Sequence, residues 1–311
     1  MNKTVLITGI HGFVGSNLIA GLKSQHTLYG LDIISPQVEG VIKTFEWDEL
    51  NKIPSVDLII HLAGKAHDTK KQTNSQEYFD INTGLTKKIF DWFITTNAKK
   101  FIFFSSVKAV ADQVEAEFLT EDMIPNPKGP YGESKMLAEK YILKKKLPGD
   151  KKTYILRPCM IHGSGNRGNL NLLYKLVQKG FPWPLGLFNN SRSFTSIDNV
   201  SFVISEIIGR DIAPGIYQLA DDDALSTNEL IQLMAISQNK KTKIWLVPVR
   251  LIKALSLVGD FLHLPLNSER LKKLTETYVV SNQKLKIALG IDKMPISALE
   301  GMRKTLDSFK K

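Results

Sequence analysis

The stretch from Thr4 to Gly15, TVLITGIHGFVG, constrains the fold of this chain more than any other. Val5, Leu6 and Ile7 form a short apolar run with β-branched members, which predicts a buried parallel strand. Gly9, Gly12 and Gly15 follow at three-residue spacings, and Phe13 to Leu22 then reads as a helix with Phe13, Leu18, Ile19 and Leu22 as candidate buried positions. Strand, glycine turn and helix together make a phosphate cradle. Gly9 permits the tight turn, Gly12 lets backbone approach a pyrophosphate, and Gly15 lets helix pack closely on strand. The helix N-terminus adds free N–H groups and a partial positive charge. A glycine trio alone also fits an ordinary strand-to-helix turn. The sharper reading rests on a second strand, Thr27 to Leu31, which ends in Asp32, twenty residues after Gly12. That is the place of a carboxylate that holds a ribose 2′-OH, so a dinucleotide site is expected here. His11, Phe13 and Val14, in the turn and helix start, join Gly9, Gly12, Gly15 and Asp32 as candidate cofactor contacts.

Further along, strands and helices alternate. Val41 to Phe45 is a short strand candidate, and Val56 to Leu62 a buried one that ends at Ala63-Gly64-Lys65. In a doubly wound sheet such a strand end lies beside the first glycine turn, which makes Leu62, Ala63 and Gly64 candidate cofactor contacts. Gln76 to Asn97 reads as one long helix, with Tyr78, Ile81, Leu85, Ile89 and Phe93 near helical spacing. Lys100 to Phe104 is a strand that runs into Ser105-Ser106. Tyr131 to about Lys146 is a helix, and Thr153 to Leu156 a strand leading into Arg157-Pro158. This half predicts an α/β fold with a doubly wound parallel sheet, of Rossmann type.

From about Gly163 the rhythm changes. Leu170 to Lys179 reads as a helix, Phe194 to Ile197 could rejoin a sheet, and Asp198 is placed to cap a helix from Asn199. Gly215 to Leu219 is a strand, and Ser226 with Glu229 makes a capping box. Leu251 to Leu264 is apolar but interrupted by Lys253 and Asp260, which favours an amphipathic helix on the core over a membrane span. The expected division is a Rossmann domain over 1–162, with segments returning from about 194–220, and a smaller, mostly helical lobe over 163–311.

The single cysteine, Cys159, excludes an intrachain disulfide and fits a reducing compartment. No secretory leader is visible ahead of the first strand, so a cytoplasmic protein is expected. The net charge is +10. Lys144-Lys145-Lys146, Lys151-Lys152 and Lys310-Lys311 are not interleaved with aromatics and sit on no nucleic-acid motif. A solvated lysine-rich face is the expectation, with no nucleic-acid partner. A doubly anionic small substrate would also favour a positive field.

The chemistry centres on Tyr131 and Lys135. Their i, i+4 spacing puts both on one helical face, one turn apart. A nearby ammonium, aided by an oxidised nicotinamide, would stabilise phenolate and lower the tyrosine pKa. Ser106 could then hydrogen-bond the same substrate oxygen, giving a donor–acceptor pair around one C–O centre. Ser106, Tyr131 and Lys135 are therefore the candidate catalytic residues. A tyrosine four residues before a lysine is common by chance; a dinucleotide cradle and a Ser-Ser strand end ahead of it make it informative.

The GxxGxxG spacing resembles the short-chain dehydrogenase/reductase superfamily. With HLAGKAH, Asn82 in DINTGLT, FIFFSSVK, YGESK, RPCMIHG and SRSFTSIDNV, the chain resembles an extended member of it, in the NAD-dependent epimerase/dehydratase family, over nearly its whole length. The resemblance implies NAD as cofactor, with Asn82, Ser105, Tyr131 and Lys135 near it. It further implies a UDP-sugar as substrate, hydride transfer at C4 and a role in precursors of surface polysaccharide. The second half resembles 4-epimerases and 4-ketoreductases acting on UDP-N-acetylhexosamines. Lys65, Lys108, Asn169, Arg192 and Arg270 are then candidate substrate contacts, the two arginines for the diphosphate. Homodimers are implied by resemblance alone. Sugar dehydratases of the family carry Asp-Glu after their Ser/Thr, where this chain has Val107-Lys108, so dehydration is disfavoured. Met160 and His162 depart from the pattern of many UDP-galactose epimerases. His67 and His162 lack partners at metal-ligand spacing, and no metal is expected. The reading from another class is a non-catalytic NAD-binding sensor on the same fold.

Overall fold

The computed structural model describes residues 2–66, 74–166, 168–262 and 267–310. Its centre is a sheet of seven parallel strands: β1 (Thr4–Thr8), β2 (Thr27–Asp32), β3 (Lys43–Glu46), β4 (Leu58–His61), β5 (Lys100–Phe104), β6 (Lys152–Pro158) and β9 (Gly215–Leu219), in the order β3-β2-β1-β4-β5-β6-β9. Between them β7 (Met160–His162) and β8 (Phe194–Ser196) pair with each other in a separate two-stranded parallel sheet. The segment around Phe194 thus enters a sheet, but not the main one.

The period-two alternation of strands sorts the core into two layers. Val5, Ile7, Ile60, Ile102 and Phe104 face one side. There they pack with α1 (Phe13–Leu22), α6 (Ile197–Gly209) and Leu285 and Leu289 of α10 (Gln283–Leu289). Leu6, Ile59, Phe101 and Phe103 face the other, against α3 (Thr86–Thr95) and α4 (Pro130–Lys144). Strand order reverses between β1 and β4, which opens a crevice at their carboxyl ends, where ligands bind in such sheets.

The long helix expected over Gln76 to Asn97 is divided. After α2 (Ser75–Tyr78), residues Phe79–Leu85 widen into π-type turns before α3 begins. One extra residue per turn rotates the buried face, so Asn82, Thr83 and Thr86 are buried while Ile81 and Leu85 are only half-buried. Such wide turns recur at functional sites.

Helices α5 (Asn169–Gln178), α7 (Thr227–Ser237) and α11 (Ala298–Ser308) enclose a further core around Tyr174, Met234 and Met302. The Ser226–Glu229 capping box is present on α7. Helix α6, by contrast, is capped by Ser196, whose side chain accepts from the N–H of Asn199; Asp198 already lies in its first turn. Next to this core, α8 (Val249–Phe261) and α9 (Ser268–Thr275) close a satellite cluster of Trp183, Leu185, Ile252 and Leu271. Helix α8 does not lie with its apolar face on the core as expected. It buries only Ile252, Ser256 and Gly259, a narrow seam of mostly small residues, and leaves its leucines outside. Among the described residues no helix is long and apolar enough to cross a membrane.

Candidate active site

The crevice is built from strand ends. Gly9, at the end of β1, has φ +69°, and a Cβ there would stand 2.8 Å from the backbone of Ala63. Only glycine fits between β1 and the exit of β4. At Gly15 a Cβ would meet the carbonyl oxygen of Gly9 at 2.6 Å, so the helix start lies as close to the turn as backbone permits. The first turn of α1 holds no acidic residue, and Gly12, its N-cap, supplies no side-chain partner, which leaves the terminal N–H groups for an anion. Phe13 is half-buried rather than buried.

Asp32 ends β2 beside this turn. One carboxylate oxygen accepts from the N–H of His11 at 3.1 Å and lies 3.0 Å from its Nδ1; the other accepts from the N–H of Ile33. Three partners leave acceptor capacity for a ribose hydroxyl.

The exit of β4 is fixed twice. Thr8 Oγ1 accepts from the N–H of Ala63, and His61 bridges Thr8 Oγ1 and Thr86 Oγ1 at 2.6 and 2.9 Å. Burial holds His61 well below its ordinary pKa, so the bridge is a neutral imidazole. Asn82 then clamps the next residue: its Oδ1 accepts from the N–H of Lys65, and its Nδ2 donates to the Lys65 carbonyl and to Ser134 Oγ. Asn82 is fully buried and acts by positioning Gly64-Lys65 and α4. The Lys65 ammonium pairs with Glu77 at 2.7 Å.

Strand β5 delivers Ser105 and Ser106, and α4 carries Tyr131 and Lys135 on the face turned to them. The Ser106 hydroxyl lies beside the Tyr131 phenol. Ser106 also caps the single helical turn Val107–Ala109. The Tyr131 ring meets Tyr78 edge-on at 6.3 Å. Burial pushes the Tyr131 phenol above its ordinary value, while the neighbouring Ser106 hydroxyl pulls it back in part. This differs from the sequence expectation, because the Lys135 ammonium is engaged elsewhere: it donates to the Phe104 carbonyl at 2.9 Å and lies over the Phe103 ring. Burial brings its pKa down to about 8, with Glu139 acting against that.

Glu139 was missed in the sequence, although Tyr131, Lys135 and Glu139 share one face at successive i+4 steps. It is buried, accepts from Ser105 Oγ, and receives Arg157 in a forked ion pair with Nη2 at 2.6 Å. The group ties the Ser105 end of β5, β6 and α4 together.

A second cluster forms where the remaining half of the chain meets the crevice. Lys108 Nζ lies 4.3 Å over the Tyr278 ring and donates to the Asp112 carbonyl. Arg192 bridges backbone to both Leu225 and Tyr278, and its Nη1 donates to the Lys273 carbonyl at 2.5 Å. Burial lowers the pKa of both cations, Arg192 lowers that of Lys108 further, and Glu276 opposes the effect on each. Lys108 and Arg192 thus come together, and Tyr278, which no motif signalled, joins them. Asn169, at the start of α5, and Arg270, in the first turn of α9, are exposed. His162 is buried, bonded to Thr305 and 3.4 Å from Asp221, which makes it a structural anchor. His67 lies outside the described residues. Among the described residues no three His, Cys, Asp or Glu side chains gather as metal donors.

A parallel doubly wound sheet with this glycine turn and a Ser–Tyr–Lys group at one crevice defines a nucleotide-cofactor oxidoreductase fold. Residues 5–220 match the NAD dependent epimerase/dehydratase family, and the chain belongs to that family. It is 31% identical over 327 aligned positions to a UDP-glucose 4-epimerase of Vibrio cholerae, covering 99% of this chain and 96% of that one. It is 27% identical to an N-acetyl-alpha-D-glucosaminyl-diphospho-ditrans,octacis-undecaprenol 4-epimerase of Escherichia coli O157:H7, over 78% of this chain and 74% of the relative. The solved Bordetella bronchiseptica enzyme WbmG, in complex with NAD and UDP, has the same fold with a TM-score of 0.79 and 16% identity over 100% of this chain and 96% of that one. The chain is an NAD-dependent enzyme of the nucleotide-sugar epimerase and reductase class. The glycine cradle that a Cβ would fill, the uncapped α1 N-terminus and the Asp32 carboxylate all fit that cofactor.

Proposed function

We propose that this enzyme transfers hydride at C4 of a UDP-sugar, a UDP-N-acetylhexosamine or its 4-keto-6-deoxy derivative. The observation that carries the reading is the Ser106 hydroxyl beside the Tyr131 phenol, with buried Lys135 one turn on, at the crevice beside the glycine turn. NAD supplies the hydride acceptor or donor when bound. Tyr131 Oη holds or takes the proton of the 4-hydroxyl, Ser106 Oγ hydrogen-bonds the same oxygen, and the Lys135 ammonium favours the phenolate once its charge is turned to the crevice. Gly9, His11, Gly12, Phe13, Val14, Gly15 and Asp32 bind the adenosine and pyrophosphate side, and Leu62, Ala63, Gly64, Asn82 and Ser105 border the nicotinamide side. Lys108 and Arg192 neutralise the substrate diphosphate, with Lys65, Asn169 and Arg270 at the margins. In this reading residues 1–162 hold the cofactor and 163–311 the sugar nucleotide.

Val107-Lys108 in place of a carboxylate pair argues against dehydration, since Val107 cannot carry a proton. Epimerase and ketoreductase both pass through a 4-keto sugar and need the same three residues. Two assays separate them: incubation with UDP-N-acetylglucosamine, read for the 4-epimer, and NADH loss with the 4-keto-6-deoxy sugar nucleotide. Either product supports C4 chemistry. Hydride transfer at another carbon defeats the assignment, and NAD binding with no turnover of any UDP-sugar would favour a non-catalytic sensor.

A further inference from the structure

Helix α8 faces outward. Its buried positions, Ile252, Ser256 and Gly259, make one seam. Leu251, Leu255, Leu257, Val258 and Phe261 are all exposed, Phe261 at 83%. At about 100° per residue these five span an arc of roughly 160° around the helix, wider than the face it packs on the protein. Just before it, Trp245 and Leu246 are exposed while Ile244 and Val247 pack on the same satellite cluster as Ile252. An exposed apolar surface this continuous on an ordered element marks an interaction site.

The surroundings of this face name its occupant. From Lys240 to Glu276 the chain carries eight Lys or Arg against three Asp or Glu, so +5 of the net +10 falls on 37 of 311 residues. Two of the three acids are engaged locally: Asp260 accepts from the N–H and hydroxyl of Ser268, and Glu269 pairs with Lys273. Two copies meeting through this face would set like charge against like. An anionic lipid surface reverses the sign, and its headgroup boundary receives an apolar arc with a neighbouring tryptophan and flanking cations.

We propose that α8, with Trp245 and Leu246, forms a peripheral docking surface for an anionic phospholipid membrane. The apolar arc enters the boundary between headgroups and acyl chains, and Arg250, Lys253 and Lys272 meet lipid phosphates. Because the Lys273 carbonyl holds Arg192, docking brings the cleft of Lys108 and Arg192 to the membrane surface. This surface is separate from the residues proposed for hydride transfer and stands or falls without them.

The test is co-sedimentation of the full chain with phosphatidylcholine vesicles containing about one third phosphatidylglycerol, against pure phosphatidylcholine. Binding to the anionic vesicles only, weakened by salt, is expected, together with a blue shift of Trp245 emission that Trp245→Phe removes. The double variant Leu255→Glu, Val258→Glu should lower the partition coefficient by about tenfold or more while its unfolding midpoint and NAD affinity stay unchanged. Should that variant fail to fold, Arg250→Glu with Lys253→Glu should lower binding similarly. Equal partition of the wild type to both vesicles, or to neither, overturns the proposal. So does a wild-type dimer that the double variant converts to monomer, which would make a second copy the occupant.

Discussion

The crevice around Tyr131 and the outer face around α8 invert each other. At the crevice, charges are buried and paired: Glu139 and Arg157 are each almost wholly inside, and Lys135 sits under the strand ends. On α8 the apolar side chains are outside and the charges flank them. Burying charge costs solvation and is sustained by pairing, whereas exposing leucine costs little until something covers it. The first arrangement therefore belongs to an internal task, holding reacting groups in place, and the second to an external one.

The comparison can be broken most sharply at the reacting group. Tyr131→Phe keeps the ring and removes the proton carrier, so turnover should fall by about 10²- to 10⁴-fold with NAD(H) affinity nearly unchanged. Comparable turnover in the variant removes Tyr131 from the chemistry. Glu139→Leu strands Arg157 as a buried, unpaired charge and should cost about 3–5 kcal/mol in urea unfolding. Glu269→Ala, at an exposed pair with Lys273, should cost under about 1 kcal/mol. Equal costs would mean that burial does not separate the two regions.

Lys135 tests the same contrast by pH. Burial holds it at about 8 in the folded protein, against about 10.4 in an unfolded chain. Between those values the unfolded chain keeps a proton that the folded chain has released, so the ammonium's penalty is full below pH 8 and fades towards 10.4. Lys135→Met removes this titration. The stability of wild type relative to the variant should rise by roughly 3 kcal/mol between pH 7 and 10.5; a pH-independent difference would contradict the buried ammonium. Asp32→Ala should narrow the preference for NAD over NADP by about tenfold in relative Kd, because a carboxylate repels a 2′-phosphate. The smallest effect belongs to α8: Leu255→Ala should shift stability by no more than about 0.5 kcal/mol, while Ile252→Ala on its seam should cost about 2–5 kcal/mol.

Much of the cofactor half was legible because its signals are local. Strand β5 and helix α1 lie where their residues predicted, since a short β-branched or aromatic run bounded by glycine or serine has few alternatives. Tyr131 and Lys135 were legible by one helical step. The division of the Gln76–Asn97 helix was not, because a π-type widening is stabilised by what Asn82 and Thr86 bond across the crevice. Nor was the position of β8, which depends on a partner 34 residues away.

The sequence by itself determined the strand–glycine–helix cradle, the carboxylate at Asp32, the Ser–Tyr–Lys set and the parallel α/β class. Each is written in spacings of a few residues, over which backbone geometry leaves little choice. Only the tertiary structure decided that Glu139 and Arg157 neutralise each other beside Ser105, that Tyr278 joins Lys108 and Arg192, and that α8 turns its leucines outward. Those outcomes depend on which distant surfaces meet. An amphipathic pattern shows that a helix has two faces; it does not say which one the rest of the chain will cover.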